Sequence, residues 1–141
     1  MFYIGFISAP RVNDEGWPHA VGELTLGDYS ERFEASLVHW SMREDEEQWR
    51  QAIARLGGGA PSSALITSYG GPAGISTIWP VWREGREAVF QERLVVPGDA
   101  GAALEPARAY EQLGARVSVG EEAPVSEWTI PMAQVLAYVL D

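Results

Sequence analysis

Residues 41–59 read SMREDEEQWRQAIARLGGG, and the fold is legible outward from this stretch. Ser41 and Glu44 have the S-x-x-E spacing of a capping box, in which each side chain satisfies the other residue's free backbone N–H. Glu44, Asp45 and Glu46 fall in the first turn, where the helix dipole favours negative charge. Trp49, Ala52, Ile53 and Leu56 recur at i, i+3, i+4 and i+7, a single apolar stripe that needs a core to face. Gly57 to Gly59 follow, residues suited to a left-handed cap. The spacing predicts a helix over 42–56.

Short strand-like runs flank this helix. Phe2 to Ala9 (FYIGFISA) is rich in aromatic and β-branched residues and reads as a buried strand. Pro10 to Pro18 carries Asn13, Asp14, Gly16 and Pro18 and reads as a loop. Ala20 to Leu26 and Tyr29 to Leu37 read as two strands joined at Gly27-Asp28. Beyond the helix, Ser63 to Tyr69 reads as a strand, then a turn cluster over Gly70 to Gly74. Ile75 to Trp82 and Ala88 to Val96 form a hairpin across Glu84-Gly85. Pro80 inside the first of these removes a ladder donor, which predicts an edge strand or a bulge. Gly98 to Ala103 is loop, Glu105 to Leu113 a short helix and Val125 to Ile130 a last strand. Pro131 suits a first helical position, and Val135, Leu136, Val139 and Leu140 make a C-terminal helical stripe. This order predicts an α+β fold: one domain over residues 1–141, with a largely antiparallel sheet and two or three helices packed on it.

The chain has 141 residues and 46% hydrophobic content, enough for one core without metals or disulfides. With 0 cysteines it has no thiol catalysis and no zinc–thiolate site. Residues 1–10 show no basic start or cleavage site, and no apolar run approaches the ~20 residues that span a bilayer. A cytoplasmic location is expected. The 20 Asp+Glu against 10 Lys+Arg give a net charge of -10. Such a surface repels nucleic acid and anionic membranes and attracts basic partners. All ten basic residues are arginine.

A search for chemistry is largely negative. His19 and His39 sit in no H-x-x-x-H or H-E-x-x-H spacing, so neither metal nor cofactor is expected. No G-x-S-x-G elbow occurs, and the glycine runs match neither a P-loop nor a dinucleotide fingerprint. No catalytic residue is predicted. Six tryptophans are many for this length. Trp49 belongs to the core by periodicity, whereas among Trp17, Trp40, Trp79, Trp82 and Trp128 one or two are candidate surface anchors. The carboxylates Glu44, Asp45, Glu46, Glu47, Asp14, Glu15, Glu121 and Glu122 are ordinarily solvated faces. Their functional alternative is to imitate the phosphate spacing of nucleic acid and fill a basic cleft on a partner protein. Two other readings stay open: a small hydrolase with a carboxylate or histidine in a tryptophan-lined cleft, and an acidic module binding a small molecule.

An ordered series of segments carries a resemblance. Gly16-Trp17-Pro18, Gly22-Glu23-Leu24 and Leu26-Gly27-Asp28-Tyr29 come first, then Trp40 to Leu56 with Gln48-Trp49 and Arg55-Leu56. Ser63 to Ser68, Trp79 to Gly85, Gln91-Glu92 and Ser126 to Ile130 complete it. Together they resemble the CdiI immunity proteins of bacterial contact-dependent growth inhibition systems, with a departure over Gly114 to Pro124. The resemblance implies a protein without catalytic residues that binds the C-terminal toxin domain of a cognate CdiA protein. Such toxins are frequently nucleases.

Overall fold

The computed structural model describes residues 1–96, 105–112, 116 and 126–140, with 139 and 140 described by backbone alone. Two antiparallel sheets form its frame. The first contains β1 (Phe2–Phe6), β2 (Arg11–Val12), β3 (Pro18–Leu26) and β4 (Tyr29–Ser36). β3 is the spine, with β1 and β2 in series along one side and β4 along the other. Gly27, at φ 67°, opens the two-residue turn from β3 to β4, a glycine-first turn whose twist matches that of the strands. Alternation sends Phe2, Ile4 and Phe6 inward, together with Leu24, Leu26, Tyr29 and Phe33. Gly22 lies opposite Phe33, and a Cβ there would come within 2.3 Å of the Phe33 ring. Only glycine lets that ring lie across the sheet.

The first strand ends at Phe6, short of Ala9, and the expected loop after it contains β2. The short β2 forms because its two residues meet His19 and Pro18 at the extended start of β3.

The helix α1 (Met42–Gly57) starts as its capping box requires. Ser41 Oγ accepts from Glu44 N at 3.2 Å, and Glu44 Oε1 accepts from Ser41 N at 3.1 Å. Its apolar stripe is buried, and Phe6 and Phe33 pack on Trp49 at 5.1 and 5.9 Å between ring centroids. The left-handed residue of its exit is Gly59, at φ 96°.

The second sheet comprises β5 (Ser62–Ser68), β6 (Ser76–Glu84), β7 (Glu87–Gln91), β8 (Arg93–Val95) and β9 (Glu127–Pro131). The order is β5-β6-β7-β9, and β8 continues the line of β7 along β6. The proline-bearing β6 is interior and not an edge, paired on both sides, and its ladder with β5 carries an irregularity between Ile66 and Ser68. Pro80 is tolerated because the neighbouring line is interrupted there: β7 pairs with 81–84, β8 with 76–78, and Glu92 falls in the gap. The interruption coincides with the donor that Pro80 lacks, opposite Gln91 in the register shared by both segments.

The expected helix over 105–113 begins as a 3-10 turn (Pro106–Arg108) and becomes α2 (Ala109–Gln112). Leu113 lies outside the described residues, as do Gly98 to Ala103, Gly114, Pro124 and Val125. Pro131 ends β9 instead of opening a helix, and α3 (Met132–Leu140) follows it. The α+β architecture holds, with two sheets in place of one. Their inner faces, α1 and α3 enclose the main core. A smaller core of Ala64, Ile66, Ile78 and Ala109 lies on the opposite face of the second sheet, under Trp40, Tyr69 and Tyr110.

Candidate interaction surface

The β3–β4 ladder gathers several singled-out residues at one end. β3 begins where β4 stops: His19 pairs with Ser36, and Leu37 N donates to Pro18 O at 2.9 Å. The turn before β3 and the connection after β4 consequently emerge side by side. In the turn, Asn13 Oδ1 accepts from Glu15 N at 3.0 Å and Trp17 N at 2.8 Å, presenting Asp14 and Glu15 to solvent. This is the local bonding for which Asn is favoured in turns. The connection carries Val38, His39 and Trp40 into the capping box of α1.

Trp40 stacks on Tyr69 with centroids 4.5 Å apart, and His39 meets the same ring edge-on at 5.8 Å. Gly70 has φ 62°, and a Cβ there would lie 2.4 Å from the His39 ring. Val12 and Val38 are 67% and 44% exposed at this end. Half-buried aromatics held by stacking, beside exposed apolar groups and carboxylates, have the composition of a protein-binding patch.

The acidic residues do not share one role. Glu44, Glu46 and Glu47 are exposed along the start of α1. Glu44 is engaged in the capping box, and Glu47 accepts from Arg50 at 2.8 Å and Gln51 at 3.1 Å. Asp45, expected on the same face, is a correction: it is 0% exposed and neither carboxylate oxygen has a hydrogen-bond partner. Four residues ahead of Trp49, it falls on the buried stripe by helical periodicity. Desolvation, with the like charges of Glu44 and Glu46, pushes its carboxyl up to about 7. Glu121 and Glu122 lie outside the described residues.

A second acidic group escaped the sequence reading. Glu31, on the inward face of β4, and Glu92, at the break between β7 and β8, are hydrogen-bonded carboxyls at the margin between the two sheets. Tyr29 Oη donates to Glu31 Oε2, and the Tyr29 ring stacks on Trp128 at 4.6 Å. Desolvation, then the charge and hydrogen bond of Glu31, push Glu92 up to about 7. Burial, then the hydrogen bond to Glu31, pushes the Tyr29 phenol up to about 12. The available signal was period-two alternation in β4, which puts Glu31 at an inward position between Tyr29 and Phe33. His19 is buried and His39 exposed. Among the described residues no group of three His, Asp or Glu side chains is arranged to hold a metal. No described helix is long and apolar enough to cross a membrane.

Two antiparallel sheets with α1 and α3 packed on them are also the fold of a chain in a solved complex. The chain superposes on one from the CdiA-CT/CdiI toxin and immunity complex from Enterobacter cloacae with a TM-score of 0.84. The match covers 99% of this chain and 97% of that one at 19% identity. The model of the CdiI N-terminal domain matches residues 35–138, from the end of β4 into α3, and the chain belongs to that family of immunity proteins. Comparison with curated proteins returns no match.

Proposed function

We propose that this chain neutralises the C-terminal toxin domain of its cognate CdiA protein in the producing cell's cytoplasm, by stoichiometric occlusion of a basic nuclease. The observation that carries this reading is the placement of Asp14 and Glu15 in the turn that emerges beside the connection bearing the stacked pair Trp40–Tyr69, with Glu44, Glu46 and Glu47 exposed along the start of α1. Carboxylates steer a cationic partner into encounter, towards ~10⁸ M⁻¹s⁻¹ at low salt, and rigid aromatics supply contact area at little entropic cost. A standard interface of about 1,600 Å² built on such anchors reaches nanomolar affinity.

Co-expression of the toxin domain encoded beside this chain tests the reading. Cells are expected to survive only when the chain is present, and the two proteins to co-purify one to one. The triple variant Glu44→Gln, Glu46→Gln, Glu47→Gln should associate more slowly and with a weaker salt dependence. An unchanged association rate would remove α1 from the encounter surface. Toxicity undiminished by the chain would end the proposal.

A further inference from the structure

The two sheets treat their edges differently, and the difference points to where a partner binds. Along the outer edge of β5, α1 satisfies the backbone: Gln48 Nε2 donates to Ala64 O at 2.9 Å, and Gln48 Oε1 accepts from Ile66 N at 2.9 Å. Trp49 Nε1 donates to Ile66 O at 2.7 Å, and Arg55 Nε to Ser62 O at 3.0 Å. Among the described residues β4 has no such cover. The two-residue turn makes Leu26 and Tyr29 a hydrogen-bonded pair, so Tyr29, Glu31 and Phe33 bond to β3. Ser30, Arg32 and Glu34 then turn their N–H and C=O groups outward. All three are exposed, and their outward backbone groups have no partner among the described residues. Among the described residues the edge closes at Ser36, whose N–H donates to Ser68 Oγ at 3.2 Å.

We propose that this open edge takes an added strand: an extended basic segment of the toxin domain, paired through its backbone with Ser30, Arg32 and Glu34. A Lys or Arg at its inward position would reach Glu31 and Glu92. The inference rests on the toxin-binding reading above and names the surface. Backbone pairing supplies affinity without a sequence requirement, and the pockets beside the strand supply selectivity.

Charge selects the occupant. Glu31 and Glu92 stand together, and among the described residues no ion pair to either is formed, so a cation suits the position. A second copy of the chain is disfavoured, because antiparallel pairing centred on Arg32 sets Arg32 against Arg32 between two molecules of net charge -10. The added strand would run towards the Trp40–Tyr69 end of the ladder, joining the two acidic regions along one path.

The test combines hydrogen exchange and affinity, using the full chain and the toxin domain encoded beside it. In the free protein the amides of Ser30, Arg32 and Glu34 should exchange rapidly, and in the complex they should slow at least tenfold. Glu34→Pro, which removes an outward N–H at an edge position that tolerates proline, should weaken binding at least tenfold. Glu92→Lys, which fills the cation position from within, should weaken it similarly without touching the backbone. A complex that forms while all three amides stay fast, or wild-type affinity retained by both variants, overturns the edge proposal and leaves toxin binding intact. Absence of any complex with the wild-type chain overturns both readings together.

Discussion

β5 and β4 are both outermost strands, yet one is finished and the other is not. The edge of β5 meets Gln48, Trp49 and Arg55, side chains that imitate a neighbouring strand. The edge of β4 meets no other described strand or helix along Ser30, Arg32 and Glu34, which are exposed. Unpaired edges invite association, and proteins ordinarily blunt them with charge or cover. Here cover is used on one side and charge on the other. A covered edge is a matter of stability; a charged open one repels like-charged neighbours while remaining available to a partner of opposite sign. The variants most damaging to folding should therefore lie along α1 and β5, and those around β4 should leave folding nearly untouched.

Trp49→Ala gives the largest expected effect. Its side chain is 0% exposed, packs against Phe6 and Phe33, and holds Ile66 O. Truncation leaves a cavity and an orphaned carbonyl, about 4–5 kcal/mol by denaturant unfolding. A loss below about 2 kcal/mol would show that the α1–β5 seam repacks freely.

Asp45→Asn tests the seam from the opposite direction. The buried carboxyl keeps its proton up to about pH 7, whereas in the unfolded chain it ionises near 3.8. Its raised folded-state value means stability is lost as pH climbs through that window, and the full penalty persists above it. The asparagine variant should gain about 3 kcal/mol at pH 8 and nothing at pH 3, with a flatter profile between. A wild-type stability that is level from pH 4 to 8 would contradict the assigned burial.

The sequence made α1 legible because each device in it is local: the capping box, the stripe and the terminal glycines all act within a few residues. Strands were found for similar reasons, from alternation and turn chemistry. What escaped was set by partners far along the chain. Asp45 was read as one of four neighbouring surface acids, although its position ahead of Trp49 already put it on the buried face. Pro80 implied an edge or a bulge, but the interruption of the ladder beside it lies at Glu92 on another strand. Glu31 could be assigned to the inward face by counting, but its contact with Glu92 joins two sheets and no spacing announces it. The end of the ladder that brings Asp14 and Glu15 beside Trp40 follows from β3–β4 register, which the short turn at Gly27 fixes.

Gln48→Leu sits lower on the scale. It removes both amide bonds to β5 and leaves Ala64 O and Ile66 N unsatisfied, costing about 2 kcal/mol. The Ile66 amide should then exchange faster than its neighbours Leu65 and Thr67. Uniform exchange across β5 would mean that water replaces the lost amide and that the seal is dispensable.

The smallest effect is expected at Glu92, and its size is itself informative. Glu92 ionises near 7 in the folded chain, above its usual 4.5, because burial and Glu31 both oppose its charge. As with Asp45, stability should decline as pH rises between those values, so Glu92→Gln should stabilise the protein above pH 7 and not at pH 4. Solvent still reaches this margin between the sheets, and screening reduces the gain to below about 1 kcal/mol. Thermal unfolding of wild type and variant at pH 4, 6 and 8 reads the difference. A gain comparable to that of Asp45→Asn would mean that Glu31 and Glu92 are as dry as the helix seam, in which case no incoming cation could reach them. A small gain confined to high pH fits a carboxyl pair held at an accessible rim, destabilised by its own repulsion and relieved when a positive charge arrives.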